Sequence, residues 1–306
     1  MRKILFLTLA LLTVAGGVYA QQRNRVTSVL EIMDSRDGSR KVLKEFSSLI
    51  EAPNWTVDGK WLIYNSGGKL YRISPENPGE PQEIYTGFAT RANNDHVLSF
   101  DGKQIAISHG TREDHQSRIY TLPIWGGDPV LITPMAPSYL HGFSPDGNQL
   151  AYCADRKGNY DIYVIPSIGG EEVRLTDAEG LDDGPEYSPC GEYLWFNSVR
   201  TGLMQVWRMK IDGSEQTQMT FDQTRNAWFP HISPDGKSVV YITYHVGDLE
   251  PGQHLANKNV ELWMIPAEGG EPRLLTKLFG GQGTINVNSW APDSQRFAFV
   301  SYRLND

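Results

Sequence analysis

Ionisable and amide side chains recur at a fixed distance before a repeated turn in this chain. The turn reads Ser-Pro-Asp-Gly in its fullest form, as at 144–147, and positions are counted back from its Asp. Four or five residues before that position, the copies contribute Asn54, His96, His141, Glu186, His231 and Asn288. Asp183, Asn286 and Trp228 lie further upstream of their turns. Histidine near carboxylates suits proton transfer at neutral pH or the binding of a divalent metal.

These residues are far apart in the chain, so any shared site depends on the fold. His96, His141 and His231 could bind a transition metal together with Glu186 or Asp183. A Ca²⁺ site would instead use Asp182, Asp183 and Glu186. The alternative is a wet channel whose polar walls are satisfied by solvent. We therefore predict no cofactor, with a divalent cation as the alternative, and a ligand-binding role for the nine residues of the previous paragraph.

Two kinds of β-hairpin alternate along the chain and must position these residues. In the first kind, the turn motif joins two strands, here called A and B. Its Asp position falls at 58, 101, 146, 190, 235 and 293, a period of about 44 residues apart from the last interval. Proline presets φ in such a turn, and glycine accepts positive φ. The polar residues above therefore lie on strand A.

The second hairpin, strands C and D, carries Gly-Gly or Asp-Gly between alternating apolar residues, as in 161–176 and 261–276. Six copies of each hairpin alternate, beginning with a C–D unit at 29–46. This count predicts an all-β, six-bladed β-propeller with four antiparallel strands per blade. The sixth blade would pair residues from about 285 to 303 with residues from about 26 to 46. Such closure removes the free edge of the sheet.

The repeat resembles that of the TolB-type propellers, which are related to WD40 proteins. The resemblance rests on the pattern SPDG followed by IGGEEVRLT and covers nearly all of residues 21–306. It implies a propeller-only protein without the N-terminal α/β domain of TolB, of the kind often regarded as a transport component. No Gly-x-Ser-x-Gly motif of a peptidase domain accompanies it.

Residues 1–20 have the pattern of a cleavable signal peptide. Arg2 and Lys3 precede the apolar run 4–15, and Val18-Tyr19-Ala20 forms a cleavage site. We therefore expect a periplasmic or secreted protein with a single propeller over 21–306. We expect no transmembrane segment, because the apolar run is too short to span a membrane.

Composition excludes two further classes. A net charge of −8 argues against nucleic-acid binding, which needs a basic face. Two cysteines, Cys153 and Cys190, are too few for a disulfide framework. We expect two separate thiols, with Cys153 buried, and the alternative is one bridge.

Loop lengths favour one face of the propeller for recognition. The B–C loop at 244–259 and the D–A connector at 277–288 are long and irregular, whereas the A–B and C–D turns are short and alike. The leading hypothesis is a monomeric binding module for a protein, peptide or oligosaccharide at the channel mouth. The alternative is a carbohydrate-active lyase or hydrolase, with His141, His231, Glu186 and Asp183 as acid and base groups.

Overall fold

The computed structural model describes residues 26–305, whose strands form six sheets arranged as the blades of a propeller. The predicted signal peptide lies outside the described residues. Residues 26–305 contain no helix with the length and hydropathy that crossing a membrane would require.

Blades 1 to 3 follow one another along the chain, and each has four antiparallel strands. Blade 1 contains β3 (Glu51–Trp55), β4 (Leu62–Ser66), β5 (Lys69–Ile73) and β6 (Gln82–Ile84). Blade 2 contains β7 (Ala92–Leu98), β8 (Gln104–Gly110), β9 (Ser117–Pro123) and β10 (Val130–Leu131). Blade 3 contains β11 (Ser138–Phe143), β12 (Gln149–Asp155), β13 (Tyr160–Pro166) and β14 (Val173–Arg174).

Blades 4 and 5 repeat this order, and blade 6 closes the ring. Blade 4 contains β15 (Asp182–Tyr187), β16 (Tyr193–Ser198), β17 (Gln205–Lys210) and β18 (Thr217–Gln218). Blade 5 contains β19 (Arg225–Ile232), β20 (Ser238–His245), β21 (Ala256–Pro266) and β22 (Arg273–Gly281). Blade 6 contains β1 (Val26–Asp34), β2 (Arg40–Phe46) and β23 (Arg296–Leu304).

Blade 6 confirms the predicted closure, because β1 from one end of the chain pairs with β23 from the other. Its innermost position is less regular than that of the other blades. Four strands hold in the other five blades, whereas the innermost position of blade 6 is an irregular segment joined to β23 by the bridge between Trp290 and Phe297. Two further hydrogen bonds, from Ala298 N to Ser289 O (3.0 Å) and from Val300 N to Thr284 O (3.1 Å), hold that segment in place.

Blade 5 corrects two predicted loop boundaries. The expected connector at 277–288 begins as strand, because β22 continues its pairing with β21 as far as Gly281. A Cβ atom on Gly281 would lie 2.1 Å from Leu255 O, so only glycine permits this close pairing. The B–C loop is correspondingly shorter than predicted and runs from 246 to 255.

The described core is divided among the contacts between neighbouring blades. Six clusters of buried apolar side chains each combine residues of two adjacent blades. Blade 6 contributes to both of its neighbours, with Phe297 and Phe299 packed toward blade 5 and Leu30 and Val300 packed toward blade 1. Burial of this surface is the main favourable term in holding the blades together.

The same pattern of hydrogen bonds recurs in the A–B turns of several blades. In blade 2, Ser99 Oγ donates to Asp101 Oδ1 (2.7 Å), and Lys103 N donates to the same oxygen (3.0 Å). The hydrogen bond from Ser99 is the main reason that the pKa of Asp101 is lowered to about 2. Blade 4 has Cys190 at this position, where Sγ lies 3.3 Å from Ser188 Oγ.

Both cysteines are free thiols, as predicted; Cys153 is buried and Cys190 is exposed.

The Cys190→Asp variant should be more stable than the natural protein, because a carboxylate would restore the stronger acceptor found in the other turns. We expect the free energy of unfolding to rise by about 1 kcal/mol. Urea unfolding at neutral pH measures this change. Cys190→Ala is the control, since it removes the thiol without adding an acceptor. Equal stability of the two variants would show that the turn hydrogen bond contributes nothing.

Candidate functional site

Five of the inner strands contain a β-bulge where they line the central axis. Each of β3, β7, β11, β15 and β19 has a register shift against its partner strand. In three blades the bulge places a residue at positive φ: Ala52 at 56°, Gly184 at 64° and Phe229 at 53°. A bulge bends its strand and re-aims the adjacent side chains. Here it directs polar groups of several blades toward the axis.

A layer of buried polar side chains joins blades 4 and 5 with the innermost segment of blade 6. His231 Nδ1 lies 2.7 Å from Glu186 Oε2, and His231 Nε2 contacts Ile285 O. Glu186 Oε1 accepts hydrogen bonds from Ile232 N (2.9 Å) and from Asn288 Nδ2 (2.6 Å). Both carboxylate oxygens of Glu186 are therefore occupied by partners within the protein.

A cavity of about 510 Å³ opens where the inner strands begin, which is the face of the D–A connections and B–C loops. We call it the loop-face cavity. Its lining comprises Asn93, Asp95, Tyr139, His141, Cys153, Tyr160, Leu181, Asp183, Phe229, Gly252, His254, Gln282 and Asn286. Two carboxylates, two imidazoles and three aromatic rings thus share one concave surface.

Asp183 is the centre of the ionic contacts in the loop-face cavity. Its Oδ1 lies 3.2 Å from His141 Nε2, and its Oδ2 lies 3.8 Å from His254 Nε2. Burial alone would raise the pKa of Asp183, but the hydrogen bond and charge of His141 hold it below its ordinary value. Burial likewise works to lower the pKa of His141, and the contact with Asp183 outweighs it and raises that pKa. Both shifts have the direction that an ion pair between Asp183 and His141 produces.

Asp95 is the second carboxylate of this cavity and has no cationic residue in hydrogen-bonding contact among those described. Its Oδ1 accepts from Asn286 Nδ2 (2.7 Å), and its Oδ2 accepts from Asn93 Nδ2 (2.6 Å). Burial raises the pKa of Asp95, and burial lowers the pKa of His254, whose ring packs 4.4 Å from Trp228. Because burial disfavours the charged form of Asp95, a cation that entered the cavity would stabilise that carboxylate in its charged form.

A second cavity of about 330 Å³ opens at the opposite end of the axis, where the inner strands end in the A–B turns. We call it the turn-face cavity. Its lining includes Asn54, His141, Glu186 and Asn288, surrounded by apolar side chains such as Trp55, Leu98, Phe143 and Trp290. His141 lines both cavities.

The predicted site residues are therefore divided rather than assembled into one mouth. Asp183 and Asn286 line the loop-face cavity, and Asn54, Glu186 and Asn288 line the turn-face cavity, with His141 in both. His231 lies within the polar layer. His96 is fully buried and its pKa falls to about 4 through burial, and Trp228 is fully buried in the core between blades 5 and 6.

The three histidines suggested as a metal site do not come together. Within residues 26–305, no group of three or more His, Cys, Asp or Glu side chains is arranged to hold a metal ion. His141 and His231 are engaged with different carboxylates, Asp183 and Glu186 respectively. The bulges of β7, β11 and β19 lie at different positions relative to His96, His141 and His231, so the three rings point in different directions.

Sequence reasoning assigned no ligand-binding role to Asp95, His254 or Phe100. Asp95 was visible as a polar residue before strand A, and His254 lies in the long B–C loop of blade 5 that the sequence singled out. Phe100 replaces the proline of the turn motif on a face that the loop lengths had suggested to be purely structural.

Comparison with known proteins gives consistent matches. The family described as the TolB beta propeller domain matches residues 133–262. An uncharacterized protein of Agrobacterium fabrum is 45% identical over 275 residues, which cover 90% of this chain and 92% of that protein. A structure from Agrobacterium tumefaciens, provisionally named TolB, is 44% identical with a TM-score of 0.86 and covers 91% of this chain and 99% of its own.

The chain is also similar to TolB proteins of the Tol-Pal system. The Tol-Pal system protein TolB of Francisella tularensis is 28% identical over 277 residues, which cover 85% of this chain. The aligned region is 59% of that protein, so the chain spans about three fifths of the length of the TolB proteins it matches.

Replacement of His141 tests its pairing with Asp183 through the pH dependence of stability. The pKa of His141 is raised in the folded protein, so its stabilising contribution is complete below an unfolded-state pKa of about 6.5 and is lost as pH rises through the folded value. The stability advantage of the natural protein over His141→Gln should therefore shrink between pH 6 and pH 9. Urea unfolding across this range measures it.

Asp183→Asn is the matched control for this experiment. In that background, His141→Gln should no longer alter the slope of stability against pH in this range. Parallel stability curves for the natural protein and His141→Gln would contradict the ion pair.

Proposed function

This chain belongs to the TolB-like β-propeller family, and on that premise we propose that it is an exported binding module of the cell envelope. Its ligand is a protein or peptide segment, held at the loop-face cavity through a basic side chain. The protein serves as a component of an envelope transport system and acts without catalysis. Its relative from Francisella tularensis is named as a Tol-Pal system protein, which supports placement in the envelope.

The observation that carries this proposal is the composition of the loop-face cavity. Asp95 and Asp183 are both buried there, and Tyr139, Tyr160 and Phe229 supply ring surface beside them. A lysine or arginine side chain combines a cation for the carboxylates with an aliphatic stem for the rings. Arginine can also bind one carboxylate through two parallel hydrogen bonds.

The loop that forms one wall of the loop-face cavity suits a chain segment better than a small metabolite. The loop at 246–255 contributes Gly252 and His254 to the wall, and it lies next to the β21–β22 ladder that ends at Gly281. Loops placed on a rigid scaffold are where proteins concentrate recognition. An extended peptide that enters the cavity would therefore contact this loop as well as the inner strands.

The alternative of a carbohydrate-active enzyme is less well supported by the same geometry. Its acid and base candidates included Glu186 and His231, which bind each other and further groups of the protein. A general acid or base must reach the proton of its substrate. Both groups would need to exchange these internal partners before they could act.

A displayed library of random 12-residue peptides tests the proposed function directly. Peptides enriched on the natural protein should carry a lysine or arginine near apolar residues. Asp95→Asn should weaken the affinity of an enriched peptide by about tenfold or more, because a charged hydrogen bond becomes a neutral one. Isothermal titration calorimetry with the synthetic peptide measures the change.

The matched control is Asp128→Asn, which makes the same chemical change on an exposed residue outside the cavity. It should leave the affinity unchanged. The proposal fails if no peptide is enriched, or if both variants affect binding equally.

A further inference from the structure

The lining of the turn-face cavity is mainly apolar and includes a few polar groups, unlike the lining of the loop-face cavity. The second residue of the turn motif is proline in four blades, at Pro145, Pro189, Pro234 and Pro292, and the last three of these line the outer rim of the cavity. Blades 1 and 2 have Val57 and Phe100 instead. These two side chains remain 51% and 40% exposed although they are large and apolar. The rim thus presents apolar surface to solvent at one side of the opening.

Adjacent turns bring Val57 and Phe100 to the same side of the rim. A Cβ atom on Gly102 of the blade 2 turn would lie 3.6 Å from Val57 Cβ of the blade 1 turn. Below the rim, Trp55, Leu98 and Trp290 continue the apolar wall inward. Concave sites with mostly apolar walls and few polar groups are typical of small-molecule binding, and a volume of about 330 Å³ lies at the low end of that range.

The deep part of this cavity contains an acceptor that lacks a donor. Asn54 is only 5% exposed, and its Nδ2 donates to Asn288 O. Its Oδ1 is buried and receives a hydrogen bond from no residue in the described range. A buried acceptor without a donor is energetically unfavourable, so an incoming N–H or O–H group would be stabilised there.

The neighbouring polar groups restrict the ligand further. Glu186 Oε1 and Asn288 Oδ1 also line this region as acceptors, and the amide of Asn288 already donates to Glu186 and to Ile232 O. Both N–H groups of the Asn288 amide are thus committed as donors, and one of the two N–H groups of the Asn54 amide is committed to Asn288 O. A carboxylate head group has no proton to donate to Asn54 Oδ1 and would lie near the Glu186 carboxylate, and the His141 imidazole of this lining is already paired with Asp183. An amine or alcohol can donate a hydrogen bond to Asn54 Oδ1.

We propose that the turn-face cavity is a second binding site, for a small apolar molecule with an amine or alcohol head group. The head donates to Asn54 Oδ1, and the apolar body contacts the side chains of Val57 and Phe100 at the rim. This site is separate from the peptide site of the loop face and does not depend on it.

Three probes of matched size test the site: 4-phenylbutylamine, 4-phenylbutan-1-ol and 4-phenylbutanoate. Saturation-transfer NMR titrations with the natural protein should show saturable binding of the amine and the alcohol, with the carboxylate at least about fivefold weaker. Phe100→Ser should weaken the binding of the amine by at least about fivefold, because apolar contact is lost.

Two further variants separate the site from general effects. Asn54→Leu removes the acceptor and should reduce the preference for the amine over the carboxylate, with folding checked by thermal unfolding. Ile168→Ser removes an apolar side chain that is 90% exposed and lies outside the cavity, and it should change nothing.

The proposal is overturned if the carboxylate binds as tightly as the amine, or if binding survives Phe100→Ser and Asn54→Leu. It is also overturned if no probe binds and displayed peptides select the turn face instead, since the occupant would then be a protein. None of these results bears on the proposed peptide site at Asp95, which is tested separately with the displayed peptides.

Discussion

The pairing of β1 with β23 is the interaction on which the rest of this structure depends. Nine consecutive residue pairs, from Val26–Leu304 to Asp34–Arg296, join the two ends of the described chain. The side chains of this sheet complete the apolar clusters toward both neighbouring blades. An open ring would expose both clusters and leave unpaired strand edges. Closure also fixes the ring, so that the bulged inner strands face one another across a constant distance.

The closed ring explains why so many polar groups can be buried along its axis. Three carboxylates are each paired with a residue of another blade: Glu186 with His231, Asp183 with His141, and Asp95 with Asn286. Such pairs tolerate burial because each charge or dipole has a partner. These pairs lie between the two cavities. The loop-face cavity is lined by carboxylates and aromatic rings, whereas the turn-face cavity has mainly apolar walls.

The repeat made the architecture predictable from sequence, whereas the site was only partly predictable. Hairpin signals and their alternation predicted six blades and the closure through the chain ends. The inner-strand bulges could not be predicted, and they decide where each polar side chain points. His96 and His141 occupy the same position relative to their turns, yet His96 pairs regularly with Ile107, and His141 is the bulged residue of its strand. One is consequently buried in the core, and the other lines both cavities.

We propose above all that a basic side chain of a protein or peptide ligand enters the loop-face cavity and contacts Asp95. A crystal structure of the natural protein with a selected basic peptide tests this claim most directly. We expect a lysine or arginine nitrogen of the peptide to lie within about 3 Å of an Asp95 carboxylate oxygen, beneath the loop at 246–255. A peptide bound at the turn face or along the outer edge of a blade, with the loop-face cavity unchanged, would contradict it.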